Sequence, residues 1–240
     1  MNKKFDEGDE IELGNATLIE HLTELRSRLI WSLLAFIICV IGVFPFSNTV
    51  FSFLANPIVD ILSKQDKPPE LIFTGMQQGF MVNVKISMFG GFIIAFPFIA
   101  FQIWKFVAPG LYRKEKMAFL PFLIASPVLF LIGAAFAYFV VLPIAFNFFL
   151  SFQNSADVND LVGISYLGTI NEYLSLTMKF ILAFGVCFQL PVLLTLLGKV
   201  GLVSSEFLLN FRKYAIVSIL IVSAFVTPPD VITQLILFSV

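Results

Sequence analysis

Two carboxylates stand among cations in this chain, and both could do recognition chemistry. Glu24 follows His21 and precedes Arg26 and Arg28, while Glu115 is bracketed by Arg113, Lys114 and Lys116. An ionised carboxylate accepts two parallel bonds from a guanidinium, so either position could hold an arginine side chain. Plainer readings exist. Glu24 can pair with Arg28 at i,i+4 on a helix that merely anchors at an interface, and Glu115 can be an incidental acid in a basic loop. Spacing alone leaves both readings open. Catalytic chemistry has less support. No glycine-rich phosphate loop occurs, and the single histidine, His21, cannot build a metal site with Cys39 and Cys187. Both cysteines lie inside apolar runs and read as small buried hydrophobes. A serine hydrolase needs its base beside a buried serine, whereas His21 precedes the first apolar run. No enzyme activity, cofactor, metal or nucleic-acid partner is expected.

The elements that must carry these residues are set by composition. Hydrophobic residues make up 58% of the 240 and charged residues 13%, about half the charge a soluble domain uses to cover its surface. Apolar runs fall at 29–46, 86–104, 117–152, 180–198, 214–227 and 231–240. A membrane-spanning helix needs about 20 such residues, so the expected fold is an all-α polytopic membrane protein with six spans. Lys and Arg concentrate in cytoplasmic loops, and 11 of the 15 here lie before the first run, between the second and third, or between the fourth and fifth. That bias predicts both termini inside.

The run at 117–152 would be about 54 Å of helix. Splitting it would put the acidic stretch 157–172 on the wrong side, so one long helix, bent at Pro121, Pro127 or Pro143, is expected. The last two spans are short, and the sixth is expected to be incomplete at Val240. Residues 1–16 are acidic and read as a disordered cytoplasmic tail; 17–240 form one transmembrane domain. Thr17 and Glu20 make a capping box, and Leu18, Leu22, Leu25 and Leu29 share a stripe, so an amphipathic helix leads into the first span. The outer segment 47–79 contains Asn56-Pro57 and Pro68-Pro69 and reads as structured turns. One internal echo appears: Lys85, Gly91, Pro97 and Lys105 match Lys179, Gly185, Pro191 and Lys199 in spacing. A parallel repeat would explain it, and so would the frequency of these residues in membrane helices.

Taken together, several segments resemble the TatC family of twin-arginine translocases. They are His21-Leu22-x-Glu24-Leu25-Arg26-x-Arg28-Leu29, Phe106-x-Ala108-Pro109-x-Leu111-Tyr112-x-x-Glu115, and Gly133 to Phe139 with Pro143. Ala183-Phe184-Gly185 with Pro191, and Thr227-Pro228-Pro229-Asp230 with Gln234, extend the match. The resemblance runs from about Leu18 to the end. It implies a cupped-hand receptor in the bacterial inner membrane that binds twin-arginine signal peptides and exports folded cargo on the proton-motive force. It also implies single-span TatA- and TatB-like partners and a homo-oligomer within a larger complex. By that resemblance Glu24 and Glu115, with Phe106, His21, Leu25 and Arg26, bind the signal peptide. Gln189, Ala224, Phe225, Thr227 and Gln234 contact partner helices, and Pro57, Pro191 and Asp230 are structural. Relatives often carry glutamate where this chain has Gln189, so hydrogen bonding replaces ionisation there.

A transporter of a small solute would place ionisable groups at the bilayer midplane, but Lys85, Lys179, Glu172 and Asp230 all sit near the outer boundary. A pure assembly scaffold would bind partners without affinity for an arginine pair. The fifth run gives about 21 Å of helix against a core near 30 Å, so a spanning hairpin would thin the bilayer locally. A re-entrant hairpin is the alternative. An impermeant thiol reagent added outside intact cells should label a cysteine at Asp230. Labelling only after permeabilisation would exclude the spanning hairpin.

Overall fold

Peptide groups in hydrocarbon have no water to bond, so a chain this apolar must satisfy them within helices. The computed structural model describes residues 7–63, 71–107, 116–152, 168–199, 203–226 and 231–239. Helix α1 (Glu7–Val43) passes through a 3₁₀ turn (Phe44–Phe46) into α2 (Ser47–Ser63). Helix α3 (Gln78–Val107) returns, followed by α4 (Lys116–Phe136), a π turn (Ala137–Val141) and α5 (Leu142–Leu150) as one continuous rod. Then come α6 (Ile170–Cys187), α7 (Leu190–Lys199), α8 (Ser205–Val226) and α9 (Val231–Ser239). Among the described residues, five helical stretches have the length and apolarity to cross a bilayer. The sixth run is α9, with nine residues.

Each proline inside these rods removes one backbone donor and strands a carbonyl four residues earlier. At Pro143, Pro57 and Pro191 three different devices absorb the loss. Before Pro143 the helix widens into the π turn, where the Leu142 N–H reaches back to the Ala137 carbonyl. At Pro57 the stranded carbonyl is that of Phe53, and it accepts the Tyr138 hydroxyl at 2.6 Å. The next carbonyl, of Leu54, accepts the Tyr173 hydroxyl at 2.5 Å. At Pro191 the helix breaks: α6 ends at Cys187, the Gln189 N–H turns back to the Val186 carbonyl, and α7 starts at Leu190.

One expectation changes. The segment 47–79 was expected to be turns, yet Ser47–Ser63 is helical and buries Leu54, Ile58, Ile61 and Leu62. The Asn56-Pro57 step is tolerated in a helix because the two tyrosine hydroxyls occupy the carbonyls it disturbs. Helix α1 begins at Glu7, within the acidic segment 1–16. Acidic residue types at a helix N-terminus favour the helix through its dipole. The fifth helix also starts at Ser205, nine residues before its apolar run, and has 22 residues.

The helices close on glycines where backbones nearly touch. A Cβ at Gly91 would lie 2.8 Å from the Val40 backbone, fixing the α1–α3 crossing. A Cβ at Gly133 would lie 2.6 Å from the Phe184 carbonyl oxygen, and one at Gly185 2.6 Å from the Phe130 ring. Phe130 is itself fully buried and stacked on Phe96 at 3.8 Å, so it has no room to yield. On the far side of the membrane, Ile72 bridges Gly168 and Ile170, tying the lead-in of α3 to the start of α6.

Gly185→Val should therefore force α4 and α6 apart at a cost of about 1–3 kcal/mol. Gly42 has nothing within 4 Å of an added Cβ, so Gly42→Ala is the matched control. Thermal unfolding in detergent should show a lowered midpoint for the first and no loss for the second. Equal midpoints would mean that the glycine contact does not set helix spacing.

Candidate functional site

Helices α1 and α3 run antiparallel from the Gly91–Val40 crossing, through an edge contact of Phe36 on Phe92, to the C-terminal end of α3, which meets α1 well inside its length. There His21 of α1 stacks on Phe106 of α3, with ring centroids 4.3 Å apart and planes at 19°. Residues 85 positions apart are thus brought face to face by one helix pair. Glu24 lies one turn from His21 on the same side of α1. The Arg28 guanidinium donates to Glu24 Oε1 through Nε, at 3.0 Å, and through Nη2. Among the described residues, the second carboxylate oxygen, Oε2, has only His21 Nδ1 near it, at 3.9 Å, beyond hydrogen-bond reach. A carboxylate offers about four lone-pair positions, so this one is half used. The Glu24 side chain is 34% exposed and that of Arg28 21%.

The interfacial ion pair and the arginine receptor are therefore compatible. One oxygen is held by Arg28, while the other accepts no hydrogen bond from the described residues and lies beside an aromatic stack. Leu25 and Arg26 are exposed on the same helix. Glu115 lies outside the described residues, eight positions beyond the end of α3. The Lys105 ammonium sits 4.8 Å over the Phe101 ring, so the basic character of this end begins on α3 itself.

The second set of residues is spread over the α6–α9 region. Gln189 donates from Nε2 to the Ser126 carbonyl at 2.8 Å, and the Ser126 hydroxyl donates to Gln189 Oε1 at 2.6 Å. This reciprocal pair bolts the α6–α7 break onto α4. Gln189 thus has its partners within the chain. Pro191 makes that break and is exposed. Gln234 Nε2 donates to the Leu220 carbonyl at 3.3 Å, hooking α9 onto α8. Ala224 is exposed; the Phe225 side chain, Thr227 and Asp230 lie outside the described residues. Between α6 and α8 opens an apolar cleft of about 330 Å³, walled by Val186, Cys187, Leu190, Ser218 and Val222.

Ser126 was not singled out from the sequence. A hydroxyl next to Pro127 in the middle of a long apolar run was the available signal, since such a group needs a partner in hydrocarbon. Tyr138 and Tyr173 were missed for the same reason.

The fold and these two regions define the class: an all-helical polytopic membrane protein with a carboxylate–aromatic surface at one end of its first helix pair. The profile of the family described as Sec-independent protein translocase protein (TatC) matches residues 20–239. A relative from Magnetococcus marinus, a Sec-independent protein translocase protein TatC, is 46% identical over 92% of this chain and 78% of its own length. One from Aquifex aeolicus is 41% identical over 92% and 88%. A crystal structure of the twin-arginine translocase receptor TatC superposes with a TM-score of 0.76 at 41% identity, covering 91% of this chain and 92% of that one. The chain belongs to the TatC family.

The Ser126–Gln189 pair yields a thermodynamic test. Gln189→Leu leaves the buried Ser126 hydroxyl without its acceptor and should destabilise by about 1–3 kcal/mol. Ser126→Ala and the double variant complete a cycle, in which the coupling should be about 0.5–3 kcal/mol. Additive losses in thermal unfolding would show that the two side chains do not act as a pair.

Proposed function

We propose that this chain is the receptor and core subunit of a twin-arginine translocase, holding signal peptides of folded cargo where the C-terminal end of α3 meets α1. The observation that carries the reading is the half-used Glu24 carboxylate beside the His21–Phe106 stack. A guanidinium binds a carboxylate through its edge and an aromatic ring through its face, and this surface offers both. Glu115, eight residues beyond the end of α3 in sequence, supplies the second carboxylate. The flanking loops are basic and repel an arginine pair, so attraction has to come from these acids. Leu25 and Arg26 border the peptide.

Orientation follows the lysine and arginine bias, with both termini in the cytoplasm of a bacterial cell and the domain 17–240 in its inner membrane. Partner helices, single-span subunits of the TatA and TatB kind, dock along α8 and α9 near Ala224, Phe225, Thr227 and Gln234. The cleft between α6 and α8 accepts apolar side chains there, and Gln189 supports it from behind through Ser126. Several copies assemble with these partners, and the proton-motive force drives transport. A solute transporter would use a polar site near the midplane. Gln189 is the strongly polar residue nearest that level, and its amide is already bonded to Ser126.

Each charge-assisted hydrogen bond is typically worth about 1.5–3 kcal/mol. Glu24→Gln or Glu115→Gln should therefore weaken binding of a twin-arginine peptide roughly 10-fold or more, measured by titration onto purified protein. Unchanged affinity in the double variant would remove both residues from the peptide site.

A further inference from the structure

Two cations take no part in the peptide site. Lys85 on α3 and Lys179 on α6 line one groove of about 410 Å³, together with Phe36, Met88, Phe92 and Leu182. Successive spans alternate in direction, so α3 and α6 cross the membrane the same way. Each lysine stands six residues before a glycine at a close helix contact, Gly91 or Gly185, so the spacing echo in the sequence places both cations toward the same end. The Lys85 ammonium donates to Asn171 Oδ1 at 2.6 Å, which fixes its level at the first turn of α6. Lys179 lies eight residues further along α6, about 12 Å deeper, with Ser175 between them on the groove wall.

Both lysine side chains are exposed, and among the described residues neither has a carboxylate within ion-pair distance. Glu172, the acid at the same end of α6, lines a different pocket with Ile58, Phe146 and Tyr173. Ionisable groups at membrane depth are normally paired or drawn to the headgroups. Apart from Ser175, the rest of the groove lining is apolar. One molecule answers both demands: a phosphate for the ammonium groups and a hydrocarbon chain for the wall.

We infer that this groove is a binding site for an anionic phospholipid, its phosphate held by Lys85 and Lys179 and an acyl chain lying along Met88, Phe92 and Leu182. Basic pockets between membrane helices bind acidic headgroups in this manner. The site lies at the end of α3 opposite Phe106, in the outer leaflet under the orientation proposed above. It shares no residue with the peptide surface, so each can fail without the other.

The test is native mass spectrometry of the chain released from nanodiscs containing phosphatidylglycerol or phosphatidylcholine. Wild type should retain phosphatidylglycerol in preference to phosphatidylcholine. K85Q/K179Q should retain it roughly 10- to 30-fold less tightly, at about 1 kcal/mol per lysine. K85R/K179R should behave like wild type, which separates charge from packing, and K179Q alone should show an intermediate loss. Equal retention of phosphatidylglycerol by wild type and K85Q/K179Q would overturn the site. So would equal retention of the two lipids by wild type. Unchanged lipid retention in K85Q/K179Q with loss of a copurifying membrane subunit would assign the lysines to a partner's carboxylate instead, and would equally overturn it.

Discussion

The requirement that every backbone N–H and C=O in hydrocarbon find a partner inside the protein governs this structure. Continuous helix satisfies it almost everywhere. Prolines are where it fails, and the side chains that repair the failures also hold the helices to one another. Tyr138 and Tyr173 reach carbonyls at the Pro57 step of α2, and in doing so fix α2 against the π turn and α6. Gln189 and Ser126 fasten the break before Pro191 to α4. At Pro57 and at the break before Pro191 these bonds are interhelical, so the local defect becomes a tertiary contact.

The peptide surface depends on the same architecture one step removed. Gly91 lets α3 lie against the Val40 backbone, and from that crossing the two helices stay in contact to the end of α3. Only then do His21 and Phe106 meet at 4.3 Å. Arg28 holds one Glu24 oxygen and leaves the other without a hydrogen bond among the described residues. A rigid helix end that offers an aromatic face and a half-occupied acid is preorganised for guanidinium, because little side-chain freedom remains to be lost on binding.

Much of this was readable from residue types. The spans, the continuity of 117–152 and the Glu24–Arg28 pair follow from run lengths and i,i+4 spacing, which are local properties. The helix at Ser47–Ser63 was not readable, because Asn56-Pro57 reads as a turn unless distant hydroxyls are known to cap Phe53 and Leu54. The stripe of Leu54, Ile58, Ile61 and Leu62 was the countersignal. The His21–Phe106 stack joins residues 85 apart and depends on the register of two helices, which no local pattern encodes. The Ser126–Gln189 pair was half visible: Gln189 stood out as a lone polar residue, whereas a serine is too common to attract notice.

The most direct measurement compares two peptides on one protein. Purified chain in nanodiscs would be titrated with a twin-arginine signal peptide and with the same peptide carrying two lysines. A lysine ammonium has neither the planar fork nor the stacking face of a guanidinium. The arginine peptide should therefore bind at least about 10-fold more tightly. Equal affinities would contradict a carboxylate–aromatic receptor surface where the end of α3 meets α1.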